Sequence, residues 1–153
     1  YGLVGSEMCI RDRVNVIITV SPIRYAKYGY HGSQLSKAVL LLAADKVIKE
    51  EGERVYYFPA YEIVNDELRD YRFYKADMLH PNEQAVEYIW EQLVATCFSA
   101  EAKQFLEEWR PIKEALAHRP FHPEAAAYQD FIKKTKEKAK MLELKYPNIE
   151  LNL

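Results

Sequence analysis

The feature that most constrains this chain is a strand, a helix and a second strand written in close succession. Val14-Asn15-Val16-Ile17-Ile18-Thr19-Val20 is β-branched and almost continuously apolar, the pattern of a strand buried on both faces. Ser21-Pro22 ends it, and a polar, aromatic loop runs from Ile23 to Gly32. Ser33 is placed to cap a helix. Leu35, Val39, Leu42, Ala43 and Val47 then form one apolar stripe at helical spacing. Gly52 stops the helix, as a glycine in the left-handed region does. Val55-Tyr56-Tyr57-Phe58 reads as the second strand, closed by Pro59. Elements of these lengths predict a βαβ unit, with parallel pairing and a right-handed crossover.

Beyond Phe58 the text turns helical. Tyr61 to Leu68 reads as a short helix, and Arg69 to Pro81 as a long loop. A helix is predicted from about Glu83 to Phe98, with Val86, Ile89, Trp90, Leu93 and Cys97 on one face. Ser99 opens another, striped by Ala102, Phe105, Leu106, Trp109, Ile112 and Leu116, and Pro111 inside it predicts a kink or break. After the connector His118-Arg119-Pro120-Phe121-His122-Pro123, a last helix is expected from about Glu124 to Leu144. Tyr128, Phe131, Ile132, Thr135 and Leu142 are expected to face inward. Two strands are too few for a stable, doubly covered sheet, so the pattern reads as the end of an α/β domain whose beginning is absent. Tyr1 to Arg13 has no periodicity and no initiator Met, and is read as a non-native or disordered leader. The expected organisation is that leader over 1–13, the C-terminal part of an α/β domain over 14–98, and a helical extension over 99–153.

Composition excludes several function classes. A length of 153 residues suits one domain with a real core. A net charge of −2 offers no basic face, so no nucleic-acid partner is expected. Cys9 and Cys97 cannot build a disulfide framework, and no CxxC ladder points to zinc. The longest apolar run, Ala38 to Ala44, is far too short for a membrane span. No signal peptide is visible, which favours a cytoplasmic location. The oligomeric state stays open.

The most informative chemical string is Ala76-Asp77-Met78-Leu79-His80-Pro81, directly before a helix. An Asp and a His three apart on a tight loop can project into one cleft, the carboxylate fixing the imidazole tautomer and stabilising its protonated form. The competing reading is Asp77 as a turn cap and His80 as a satisfied loop histidine. Ser21-Pro22-Ile23-Arg24 follows a strand, where ligands of open α/β sheets bind. Arg24 and the loop to Ser33 are therefore placed to line a cleft, with Ser33 and Gln34 as polar groups near an oxyanion. The alternative is a structural ion pair for Arg24 and a plain cap for Ser33. His118 and His122 have a metal-like spacing, but Pro120 and Pro123 interrupt any helix there, and the rigid-connector reading is preferred. The run Lys133, Lys134, Lys136, Lys138 and Lys140 is interspersed with Glu137 and reads as a solvated helix face. Ser6 after Gly5 precedes a strand and no helix, unlike a nucleophile elbow, and is rejected.

Five stretches in order carry a resemblance: Thr19 to Arg24, His31 to Ala38, Tyr57 to Glu62, Asp66 to Tyr74 and Asp77 to Pro81. Together they resemble the GSCFA-domain proteins, which look like a branch of the SGNH (GDSL-like) hydrolase superfamily. The connector His118 to Pro123 matches more loosely. The resemblance implies a flavodoxin-like three-layer α/β/α fold, of which this chain holds the C-terminal portion followed by helices. It implies hydrolysis or transfer of acyl esters by a serine in a Gly-Ser-Cys-Phe-Ala string, a string absent here. It also implies Asp77 and His80 as the late catalytic pair, and no cofactor. The implied substrate is a small-molecule or glycan acyl ester. The rival reading is a non-catalytic carbohydrate-binding or interaction module, to which Tyr25, Tyr28 and Tyr30 would suit sugar stacking.

Overall fold

The computed structural model describes residues 14–151. The leader over 1–13, with Ser6 and Cys9, lies outside the described residues. In chain order come β1 (Val16–Ile18), a 3₁₀ turn (Ala26–Tyr28), α1 (Gly29–Glu51), a second 3₁₀ turn (Gly52–Arg54) and β2 (Val55–Tyr57). Then follow α2 (Ala60–Glu62), a π-helical turn (Ile63–Leu68), a 3₁₀ turn (Tyr71–Phe73), α3 (Glu83–Cys97), α4 (Ala100–Ala117) and α5 (Ala126–Lys145). The chain divides into two compact units, one reaching to Leu93 and one beginning at Val94.

In the first unit β1 and β2 pair in parallel, Val16 beside Val55, Ile17 beside Tyr56 and Ile18 beside Tyr57. The Phe58 N–H extends the ladder to the Ile18 carbonyl at 2.8 Å. The predicted strand–helix–strand order and the parallel pairing are both present, in a small sheet within a mostly helical chain. Both strands are shorter than predicted, and β1 is not buried on both faces: Val16 and Ile17 are about half exposed. The physical reason is that no third strand adjoins the pair among the described residues.

The helix between them starts at Gly29, a turn earlier than predicted, with Tyr28 at its N-cap. Ser33 therefore lies inside α1 and caps nothing; its buried hydroxyl accepts the Tyr25 N–H at 3.1 Å. Gly52 ends α1 at φ +62°, donating to the Ile48 carbonyl, as its position predicted. The buried residues of α1 are Ser33, Lys37 and Ala44, which share one face. The predicted inward stripe is turned outward instead, with Leu35 56%, Val39 66% and Leu42 70% exposed. α1 packs against β2, and its buried face is Ser33, Lys37 and Ala44 rather than the bulky stripe. The buried apolar residues of this unit begin at Val20 and Phe58, just past the strand ends, and continue through Ala60, Ile63, Val64, Phe73 and Ala85. On α3 the buried residue is Ala85, which lies outside the predicted stripe; of that stripe Ile89, Leu93 and Cys97 are half-buried, and Val86 and Trp90 are exposed.

The second unit is a pair of packed helices, α4 and α5. Ser99 caps α4, its hydroxyl accepting the Ala102 N–H at 3.1 Å. α4 runs unbroken through Pro111 to Ala117, which corrects the expected break. Proline loses its own N–H bond to the preceding turn and crowds the carbonyl four residues before it, yet the helix continues, and the next residue, Ile112, is buried in the core. That core is Ile112, Ala139, Leu142 and Tyr146, with Phe105, Trp109, Leu116, Ile149 and Leu151 packed against it. Phe105 meets Tyr146 edge-on at 5.2 Å. Of the predicted α5 stripe, Thr135 and Leu142 are buried, but Phe131 is exposed.

Candidate functional site

The loop over residues 74–81 is built from its own backbone upward. Tyr74 and Pro81 form an antiparallel bridge. Inside it the Lys75 N–H donates to the His80 carbonyl at 2.8 Å, and the Met78 N–H to the Lys75 carbonyl at 2.9 Å. Met78 at the tip has φ +60° without being glycine, a conformation that costs on the order of 1–2 kcal/mol and persists only where its surroundings hold it. Asp77 is one of those holds: its Oδ1 accepts the N–H groups of Leu79 at 2.9 Å and His80 at 3.0 Å. Its other oxygen, Oδ2, lies 2.6 Å from His80 Nδ1.

Asp77 is thus both a turn cap and the hydrogen-bond partner of the imidazole. The His80 N–H, then the Leu79 N–H and the imidazole, hold the Asp77 carboxyl down at about 2. An anionic carboxylate on Nδ1 favours the Nδ1–H tautomer and leaves the Nε2 lone pair free to take a proton. Both side chains are solvent-accessible, His80 at 53% and Asp77 at 42%.

Arg24 is the second hold on the strained turn. Its main-chain N–H donates to the Leu79 carbonyl at 3.0 Å, and its Nη1 to the Met78 carbonyl at 2.9 Å. Its guanidinium lies over the rings of Tyr30, Tyr71 and Tyr74 at 4.6, 5.6 and 5.7 Å. Three residues earlier, the Ser21 carbonyl accepts from Lys37 Nζ at 2.5 Å. Lys37 is nearly enclosed, and that burial lowers its pKa. A buried lysine thereby fixes the strand-end segment that carries Arg24.

Beside Arg24 opens a cleft of about 280 Å³, lined by Arg24, Gln34, Asn65, Arg69, Tyr71 and Tyr74 among others. Gln34 Oε1 accepts from the Tyr61 hydroxyl at 2.9 Å. Of the five residues singled out in the sequence, Asp77 and His80 meet directly, Arg24 grips their loop and lines the cleft, and Gln34 lines the cleft. Ser33 is buried with its hydroxyl engaged by Tyr25. Sequence reasoning missed Asn65, Arg69, Tyr71 and Tyr74. The one signal for the last three was the polar, aromatic text of the loop after Leu68, with Arg69 and Tyr71 two residues apart.

Elsewhere, no group of three or more His, Cys, Asp or Glu gathers among the described residues. His122 lies 3.7 Å from Glu124, and both are exposed. No helix is long and apolar enough to cross a membrane among the described residues.

A model of the GSCFA family matches residues 7–93, which contain the whole of the loop and the cleft. The chain belongs to the GSCFA family. A second model, that of the C-terminal domain of GSCFA domain proteins, matches residues 109–153. The GSCFA segment thus carries Arg24, Gln34, Asp77 and His80, and the GSCFA C-terminal segment carries Ile112, Ala139, Leu142 and Tyr146 of the second core. No curated protein and no solved structure matches the chain.

Proposed function

We propose that this chain is the C-terminal part of a GSCFA-type SGNH hydrolase acting on acyl esters, with a three-layer α/β/α domain completed by upstream strands and helices. A serine from that upstream part attacks the ester carbonyl. His80 Nε2 takes the hydroxyl proton and returns it to the leaving alkoxide, and water repeats the sequence to release the acid. Asp77 holds the imidazole in the required tautomer and stabilises its cation. The observation that carries this reading is the 2.6 Å Asp77–His80 contact on a turn whose carboxylate is anchored by two backbone N–H groups. The half-exposed Val16, Ile17 and Tyr56 support an upstream partner, since further strands would cover them.

The second reading, a non-catalytic carbohydrate-binding module, is favoured by one observation. Tyr28 and Tyr30 are well exposed, and Tyr25 lies 5.2 Å from Tyr28 ring to ring. Aryl-acetate hydrolysis separates the two. The 153-residue chain alone should show no turnover above background, and the full-length protein should show turnover. In that protein His80→Ala should cost on the order of 10⁶ in turnover, and Asp77→Ala less. A full-length protein that labels on no serine with a phosphonate probe, and in which His80→Ala changes nothing, leaves the binding-module reading in its place.

A further inference from the structure

The cleft beside Arg24 holds more positive charge than its surroundings neutralise. Its lining includes two guanidiniums, Arg24 and Arg69, and one carboxylate, Asp70. Asp70 is already committed: its Oδ1 accepts the Arg72 N–H at 2.8 Å, and its Oδ2 lies 3.7 Å from Arg72 Nε. Among the described residues, no ion pair involves Arg24 or Arg69.

The rest of the lining is donor-rich. The Gln34 amide oxygen is taken by the Tyr61 hydroxyl, which leaves its NH₂ to face a ligand. Asn65 spends an amide proton on the Tyr61 carbonyl at 2.7 Å, which leaves its oxygen as an acceptor for a ligand hydroxyl. The Arg24 guanidinium is held beforehand, and Arg69 is set by its backbone. Arg24 is gripped by the Met78 carbonyl and three tyrosine rings. Arg69 sits at φ 45° on the end of the π-helical turn, its N–H bonded to the Val64 carbonyl at 3.1 Å. A guanidinium presents paired N–H groups that match the oxygens of a carboxylate or phosphate.

We propose that this cleft is a substrate subsite for an anionic group, carboxylate or phosphate, held between Arg24 and Arg69. As a statement about substrate it rests on the acyl-ester reading, since Arg24 ties the subsite to the turn bearing Asp77 and His80. The substrate class is then an acyl ester of a negatively charged sugar or other small polyol, with Asn65 accepting from a neighbouring hydroxyl.

The test titrates the chain with glucuronate, glucose 6-phosphate and glucose, following the arginine Nε–Hε signals by NMR. At least one anion should bind about tenfold more tightly than glucose and shift the Arg24 and Arg69 signals. Which anion binds distinguishes a carboxylate from a phosphate source. Arg69→Gln should lose about tenfold in anion affinity, while Lys46→Gln, exposed on α1 and outside the cleft lining, should leave it unchanged. Equal affinity for all three ligands, no binding of any, or unaltered anion binding by Arg69→Gln overturns the proposal. Should Arg69→Gln fail to fold, the parent's discrimination between charged and neutral ligand decides alone. Anion binding without ester turnover in the full-length protein would sink the hydrolase reading and spare this subsite; turnover without anion preference would do the reverse.

Discussion

The two units of this chain spend their apolar residues differently. The second closes a core within two adjacent helices: Ile112, Ala139, Leu142 and Tyr146 are buried and ringed by Phe105, Trp109 and Leu116. The first has its buried residues just past two short strands, and leaves Leu35, Val39 and Leu42 of α1 and Val16, Ile17 and Tyr56 of the sheet exposed. It is the first unit, with apolar surface left over, that carries the polar cleft and the Asp77–His80 turn. The difference teaches that the site's own geometry is made locally, by the 74–81 turn and Arg24, and does not wait on a large core beneath it.

The largest expected effect breaks the comparison at its stable end. Leu142→Ala should cost about 2–5 kcal/mol, because the methyl groups it removes leave a cavity beside Ala139 and Ile112. Thermal unfolding followed by near-UV signals should show that loss while the His80 resonances stay in place. A loss below about 0.5 kcal/mol, the scale of a surface change, would mean that α4 and α5 do not form the closed core described.

The outer stripe of α1 sharpens the same comparison from the other side. Val39→Gln with Leu42→Gln should change stability by no more than about 0.5 kcal/mol per site, since both residues are exposed. The same double change should reduce self-association of the chain in sedimentation, because an exposed apolar stripe of this kind drives contact between copies. A destabilisation of several kcal/mol would show that the stripe is inward after all, as its spacing predicted.

That stripe marks where sequence reading stopped. The strand–helix–strand order and parallel pairing were legible, because β-branched runs and a glycine stop signal are local. Which face of α1 turns inward was not, because α1 is apolar on more than one side and the face it buries is that of Ser33, Lys37 and Ala44. The Asp77–His80 pair was legible from spacing on a turn. Arg69, Tyr71 and Tyr74 were not, because the cleft is assembled by a π-helical turn and a loop, neither of which has a sequence period. At Pro111 the break half of the expected kink or break is not found: the helix continues, with its neighbour Ile112 buried.

A smaller effect concerns the turn itself. The Asp77 carboxyl should titrate near pH 2, against an ordinary 3.8. Its folded-state pKa is depressed, so its contribution to the ordered turn is present above about pH 4 and is lost as pH falls toward 2. Carboxyl carbon shifts across that range give the midpoint; a value close to 3.8 would mean that the Leu79 and His80 N–H bonds do not persist in solution.

The most direct measurement of the central claim is the tautomer of His80, read from its two ring-nitrogen shifts at neutral to mildly alkaline pH in the chain and in Asp77→Asn. If Asp77 orients the imidazole for proton transfer, the neutral ring should carry its proton on Nδ1, with Nε2 unprotonated, and Asp77→Asn should abolish that bias. A neutral ring protonated on Nε2, or a tautomer ratio unchanged by Asp77→Asn, would contradict the account.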